Sequence, residues 1–194
     1  ISAGVARESP QGCKYMKKII LASSSPRRKT LLESIGLKFT VKPSNIPETM
    51  NPRLGPRAQA EQLSRQKARA VGRRVKNSII IAADSLIVFN KEIIGKPTSM
   101  QHAKRILKKF SGQTHTVITG FTILDTETGK SVTKSVATKV TMRKVSQKEI
   151  EAYVKREHVL DKAGAYAIQG VASIFFEKVD GDFFNVVGLP VQSL

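Results

Sequence analysis

The sequence predicts a mixed α/β fold, an α+β arrangement rather than a regular doubly wound sheet. Three observations carry this. Apolar runs of strand length alternate with segments of helical period in the first half, alternating segments joined by short turns dominate the second half, and no internal repeat is visible.

Lys18 to Ala22 reads as a short buried strand. It runs into Ser23-Ser24-Ser25-Pro26-Arg27-Arg28, after which Leu31, Leu32 and Ile35 recur at helical spacing. Ser25 suits the N-cap, Pro26 the first helical position and Gly36 the stop. Pro43 to Pro56 contains four prolines and reads as an irregular connection. A helix from about Arg57 to Val71 follows, with Ala60, Leu63, Lys67 and Ala70 on it. Asn77 to Phe89 is the most apolar stretch, a strand expected to break at Asp84-Ser85 and resume at Leu86. Asn90-Lys91 is a turn that returns Ile93-Ile94 as a hairpin partner. Thr98 is expected to cap a helix through Ala103, Ile106, Leu107 and Phe110. Thr116 to Leu124 and Ser131 to Val145 alternate as strands about a turn at Asp125 to Lys130. Ser146-Gln147-Lys148-Glu149 is a capping box that opens a helix with Ile150, Tyr153 and Val154 inward. The chain closes with Ala163–Gln169, Ser173–Val179, an Asp180-Gly181 turn and Phe183–Val187, in the hairpin-rich part.

A chain of 194 residues suits one compact domain or two lobes sharing a core. Met16 followed by Lys17-Lys18-Ile19-Ile20-Leu21 reads as a natural start, so residues 1–15 are expected to be a tag or disordered leader and 16–194 the domain. The leader lacks the apolar core of a secretory signal, and no run approaches the ~18–20 apolar residues of a membrane span. The single cysteine, Cys13, lies in that leader, which excludes disulfides, cysteine metal sites and a catalytic thiol within the domain. A cytoplasmic location is the matching expectation.

The formal charge of +18 favours polyanions: nucleic acid, nucleotide phosphates or anionic lipid. The basic residues are scattered, aromatics are few and Trp is absent, so no nucleic-acid-reading module is visible. At most weak, nonspecific nucleic-acid binding is expected.

Two places carry chemistry. At Ser23–Arg28, free N–H groups and the positive end of the helix dipole favour an anion. Arginines there oppose the dipole unless a polyphosphate sits between them and the backbone. An ordinary capped helix with solvated arginines is the alternative. Asp84 follows Ile-Ile-Ile-Ala-Ala, where an unpaired buried carboxylate is costly, so it needs a cation, a metal or donors, unless it sits in a turn facing water. Lys67, Lys96, Glu48 and Gln169 carry no signal singly. His102, His115 and His158 are dispersed on polar faces and form neither a metal spacing nor a triad.

Seven ordered motifs add to these: Leu-Ala-Ser-x-Ser-Pro-Arg-Arg (21–28), Gln-Lys-Ala-Arg (66–69), Ala-Asp-Ser (83–85), Gly-Lys-Pro (95–97), Phe-Ser-Gly-Gln-Thr-His (110–115), Asp-Lys-Ala-Gly-Ala-Tyr-Ala-Ile-Gln-Gly (161–170) and Asn-Val-Val-Gly-Leu-Pro (185–190). Over residues 17–194 the chain resembles the Maf family, also called septum-formation-inhibitor-like proteins. The resemblance implies a two-lobed fold with a central cleft, similar to that of the inosine-triphosphate pyrophosphatases. It also implies hydrolysis of a nucleoside triphosphate to its monophosphate and pyrophosphate, a divalent cation (Mg²⁺ or Mn²⁺) and a homodimer. By position, Ser23, Arg27, Arg28, Lys67 and Lys96 would hold the phosphates. Glu48 and Asp84 would serve the metal and the attacking water, with Asp84 as proton acceptor. Arg27, Ser85 and Gln169 match the positions that separate substrate subgroups, and Arg27 with Gln169 look like the dTTP/UTP subgroup.

The chain departs from the family pattern at three points. Ser85 stands where that subgroup usually has threonine, and Asn45-Ile46-Pro47-Glu48 where Asp-x-Asp-Glu is frequent. The chain also ends before the usual terminal helix, which reads as truncation. Two other functions stay open at this point: a house-cleaning pyrophosphatase for modified nucleotides, and a non-enzymatic nucleic-acid-binding or division-regulating protein.

Overall fold

The computed structural model describes residues 17–194, so the expected leader and Cys13 lie outside the described residues. Twelve helices and strands follow one another in these residues: β1 (Lys18–Leu21), α1 (Pro26–Ser34), β2 (Thr40–Val41), α2 (Pro56–Gly72), β3 (Ser78–Phe89), β4 (Glu92–Ile94), α3 (Met100–Phe110), β5 (Thr114–Asp125), β6 (Ser131–Met142), α4 (Gln147–Arg156), β7 (Phe176–Asp180) and α5 (Phe183–Val187). The strands form one seven-stranded mixed sheet in the order β2-β1-β3-β5-β6-β7, with β4 also on β3. β2, β1 and β3 run parallel, whereas β3 to β7 pair antiparallel. The expected mixed α/β class is therefore present, with its hairpins in the second half.

Strand β3 is central, and its near-continuous apolar sequence reflects burial on both faces. Ile80, Ala82 and Leu86 share one face with residues of α2, among them Leu63, Ala68 and Val71. Ile81, Ala83, Ile87 and Phe89 join the larger core with α1, α3 and α4 on the other. The two-residue period of a strand thus sends Asp84 toward the α2 face and Ser85 toward the α1 face. The expected break at Asp84-Ser85 does not occur, and β3 runs unbroken through both. Asp84 pairs with Gly120 and Ser85 with Thr119 of β5, so the ladder holds the polar residues in extended backbone.

Gly120 explains how α2 comes so close. A Cβ there would lie 2.3 Å from the Ala60 carbonyl carbon and 2.5 Å from Glu61 N, so only glycine lets the helix backbone sit on the strand. The contact lies directly opposite Asp84 in the register, and Lys67 stands two turns further along the same helix.

Local chemistry sets the remaining boundaries. Asn90 and Lys91 both adopt positive φ, the requirement of the tight turn that returns β4 onto β3. The capping box at Ser146 and Glu149 forms as expected. Helix α3 is capped by Ser99 rather than Thr98. The Ser99 side chain accepts from His102 N at 3.1 Å, while the Thr98 hydroxyl engages the His102 ring. Ser25 occupies the N-cap position of α1, but its side chain makes no cap hydrogen bond. Phe183–Val187 is a helical turn, not a hairpin strand, because Asp182 accepts from Asn185 N and caps it. Residues 163–165 and 170–175 form short 3₁₀ turns around the Tyr166–Gln169 stretch.

Candidate active site

The site forms where β3 loses its neighbour. β1 pairs with β3 only as far as Leu21 opposite Ile81, and β4 starts only at Ile94 opposite Ile87. Between these points one edge of β3 has no ladder partner, and Asp84 and Ser85 stand there on opposite faces. The turn that leaves β1 and the segment that leaves β4 flank the gap with Ser23–Arg28 and Lys96. The result is a cleft of about 500 Å³, the size of a small-molecule site. Ser23, Arg27, Arg28, Glu48, Lys67, Asp84, Ser85 and Lys96 all line it. Eight of the nine residues expected at the site are therefore brought together from positions 23 to 96.

On the α2 face a cation sits between two carboxylates. Lys67 Nζ lies 2.6 Å from Glu48 Oε1 and 2.5 Å from Asp84 Oδ1. The Lys67 and Asp84 side chains are 9% and 8% exposed, whereas that of Glu48 is 47% exposed. Asp84 is accordingly a buried, paired carboxylate rather than a turn residue in water. Removing Lys67 would leave that charge uncompensated, at a cost of about 3–5 kcal/mol. Burial pushes the Glu48 carboxyl up, but the Lys67 hydrogen bond and the charges of Lys67, Lys96 and Arg28 outweigh it and hold it below the ordinary range.

On the α1 face the guanidinium of Arg28 is held by protein on three sides. Nε donates to the Gly188 carbonyl at 2.7 Å, Nη1 to Ser23 Oγ at 3.2 Å and Nη2 to Ser85 Oγ at 3.0 Å. One N–H on each terminal nitrogen stays free for an anion, which suits bidentate contact with a phosphate. Burial lowers the Arg28 pKa, yet an arginine remains cationic at any ordinary pH. Arg27 and Lys96 line the cleft and form no ion pair with a described residue. Ser25 leaves the first-turn N–H groups of α1 uncapped beside them.

Gln169 is the exception. It is exposed and absent from the cleft lining, although Tyr166, Ala167 and Ile168 just before it do line the cleft. Tyr166 leads to a residue that the sequence reading set aside. His115 is not on a polar face but 2% exposed, with its Nε2 hydrogen-bonded to the Tyr166 hydroxyl and its ring stacked 4.4 Å from that of Phe110. The strand period carries the signal, since His115 shares a face of β5 with buried Val117, Thr119 and Phe121. Burial pushes the His115 pKa down to about 4, so the ring is neutral near pH 7.

The two carboxylates suit a hard cation. Mg²⁺ and Mn²⁺ favour oxygen donors, and Mg²⁺ is usually held by one or two carboxylates together with substrate phosphates. Among the described residues no group of three or more His, Cys, Asp or Glu side chains is placed to hold a metal; the carboxylates that line the cleft are Glu48, Asp84 and Asp161, and the first two share Lys67. Among those residues, too, no helix is long and apolar enough to cross a membrane.

The chain is 46% identical over 180 residues to a dTTP/UTP pyrophosphatase of Methanosarcina barkeri, covering 92% of this chain and 91% of that protein. It is equally identical over 180 residues to one of Alkaliphilus metalliredigens, covering 92% and 93%. To one of Caldicellulosiruptor saccharolyticus it is 44% identical over 183 residues, covering 92% of each. A solved dITP/XTP pyrophosphatase of Mycobacterium abscessus superposes loosely, with a TM-score of 0.37 and 15% identity over 66% of this chain and 75% of that one. The family model described as Maf-like protein matches residues 18–194. With that match and these relatives, the chain belongs to the Maf-like protein family.

Proposed function

We propose that this chain is a nucleoside triphosphate pyrophosphatase that hydrolyses dTTP and UTP to the monophosphate and pyrophosphate. The relatives' names supply the substrates. The observation that carries the chemistry is a buried carboxylate, Asp84, held by Lys67 inside a cleft that Arg27, Arg28 and Lys96 also line. A protein that only bound polyanions would gain nothing from a carboxylate there, because it repels phosphate.

In this reading Arg27, Arg28, Lys96 and Ser23 hold the phosphate chain, and the free N–H groups of Arg28 grip a pair of its oxygens. Asp84 accepts the proton of the attacking water, which adds to the α-phosphorus as pyrophosphate leaves. General-base help of this kind is worth about 10²–10⁴-fold. Lys67 keeps Asp84 paired and contributes positive charge where negative charge develops. Glu48 and Asp84 would hold the divalent cation, which when bound neutralises phosphate charge and lowers the pKa of water.

The phosphate ligands see the same group in every nucleotide, so base choice belongs to Tyr166–Gln169 at the cleft edge. Gln169 carries both a donor and an acceptor, matching the O4 and N3–H pattern shared by uracil and thymine. Gln169 is exposed and follows Ile168, which lines the cleft, so a base at the cleft edge lies next to it in sequence. A cytoplasmic homodimer completes the reading. A cellular nucleotide pool supports the location, and the exposed side chains of Phe183 and Phe184 support a second copy as partner.

The test is a panel of nucleoside triphosphates with Mg²⁺, with pyrophosphate and orthophosphate detected separately. The expected outcome is pyrophosphate release, with the highest kcat/KM on dTTP and UTP. A purine or modified nucleotide ranked first would refute the base preference, and release of orthophosphate would refute the mechanism.

A further inference from the structure

Ser85 has a fixed proton direction. Arg28 has only donors, so at its 3.0 Å contact with Arg28 Nη2 the Ser85 oxygen accepts. Thr119 Oγ1 donates to the Asn185 carbonyl at 3.0 Å, since a carbonyl can only accept. The single hydroxyl proton of Thr119 is therefore used. At the 2.8 Å contact between the Ser85 and Thr119 hydroxyls, Thr119 must accept and Ser85 must donate. No other arrangement of protons satisfies the chain Arg28 to Ser85 to Thr119 to Asn185.

The chain closes into a ring. Asn185 is fully buried, and its side-chain amide donates to the Val117 carbonyl at 3.1 Å and to Thr138 Oγ1 at 2.9 Å. This pins α5, and α5 leads straight into Gly188, whose carbonyl takes Arg28 Nε. Gly188 adopts φ 130°, which disfavours any other residue at the point where the carbonyl is presented. Arg28 is thus held at Nε and Nη2 by two arms of one buried network, one through Thr119 and one through α5. In that network Ser85 has no proton left to offer an ionised phosphate oxygen.

We propose that Thr119 is a positioning residue that turns the Ser85 hydroxyl proton inward, so that the Ser85 oxygen faces Arg28 and aims its guanidinium at the phosphate chain. The proposal rests on the reading of Arg28 as a phosphate ligand. It adds Thr119 to the machinery and gives Ser85 a part in phosphate positioning.

Thr119→Val keeps the shape and removes the hydroxyl, and Ser85→Ala removes the acceptor for Arg28. Each should weaken binding of inorganic tripolyphosphate, measured by calorimetry, by about tenfold, the scale of one hydrogen bond to a charged group. Each should also lower kcat/KM on dTTP and UTP by a similar factor. The double variant should be no worse than the weaker single one, because both act through Arg28. Thr119→Ser, which keeps the hydroxyl, should restore tripolyphosphate binding even if Thr119→Val proves unstable.

A folded Ser85→Ala variant that binds tripolyphosphate normally would overturn the proposal. So would a folded Thr119→Val protein with unchanged tripolyphosphate affinity, or losses that multiply in the double variant. If the unmodified protein hydrolyses none of the nucleotides, the enzymatic reading fails instead, and the calorimetry still decides the role of Thr119.

Discussion

At the scale of single residues, the proposed chemistry depends most on Asp84. It is the one carboxylate in the cleft that is both buried and held by a cation on a rigid helix. Replacing it by asparagine keeps the shape but not the ability to take a proton. Asp84→Asn should cut kcat by at least ~10²-fold while urea unfolding shows a folded protein. Near-normal turnover would reduce Asp84 to a structural partner of Lys67. The need for a partner at Asp84 was legible in the sequence, since a carboxylate directly after five apolar residues cannot stay unpaired if buried. The identity of that partner was not. Lys67 is seventeen positions away on a different element, and only the close approach of α2 at Gly120 brings it in.

At the scale of elements, the boundaries that local chemistry controls were readable. Pro26 at a helix start, the Asn90-Lys91 turn and the Ser146–Glu149 capping box all act within a few residues of themselves. Features set by tertiary pairing were not. β3 continues through Asp84-Ser85 because β5 pairs with it across both residues, and α5 is docked by the hydrogen bonds of Asn185 to Val117 on β5 and Thr138 on β6, although its Asp182 cap was a local signal.

His115 is a third case, and it carries its own prediction. Its buried imidazole, neutral against the Tyr166 hydroxyl, joins β5 to the segment beside the cleft. The folded pKa of about 4 lies below the ordinary value near 6.5, so the unfolded chain takes up a proton that the folded chain refuses. Stability should therefore be full above pH ~6.5 and decline as the pH falls toward ~4, by about 3 kcal/mol from this group. The pH profile of urea unfolding should show that decline, and His115→Phe should flatten it. Equal slopes for the two proteins would mean that His115 is not the group responsible.

For the molecule as a whole, the charge of +18 invites a nucleic-acid role, and the arrangement of the fold argues for a narrower one. Arg27, Arg28, Lys67 and Lys96 converge on a single cleft, whereas many other basic residues, such as Lys104, Lys108 and Lys148, lie on α3 and α4, whose inward faces belong to the core. Scattered lysines release counterions without reading a groove. Duplex DNA and RNA should consequently bind weakly, with steep loss on added salt and no sequence preference. Nanomolar binding at physiological salt, selective for one sequence, would contradict this.

In the proposed reaction water attacks the α-phosphorus of a nucleoside triphosphate in this cleft. Hydrolysis of UTP in heavy-oxygen water, with mass spectrometry of both products, tests it most directly. The account predicts that the solvent oxygen appears in UMP and that the pyrophosphate carries none. Label in the pyrophosphate would place the attack on the β-phosphorus and contradict the role given to the whole site.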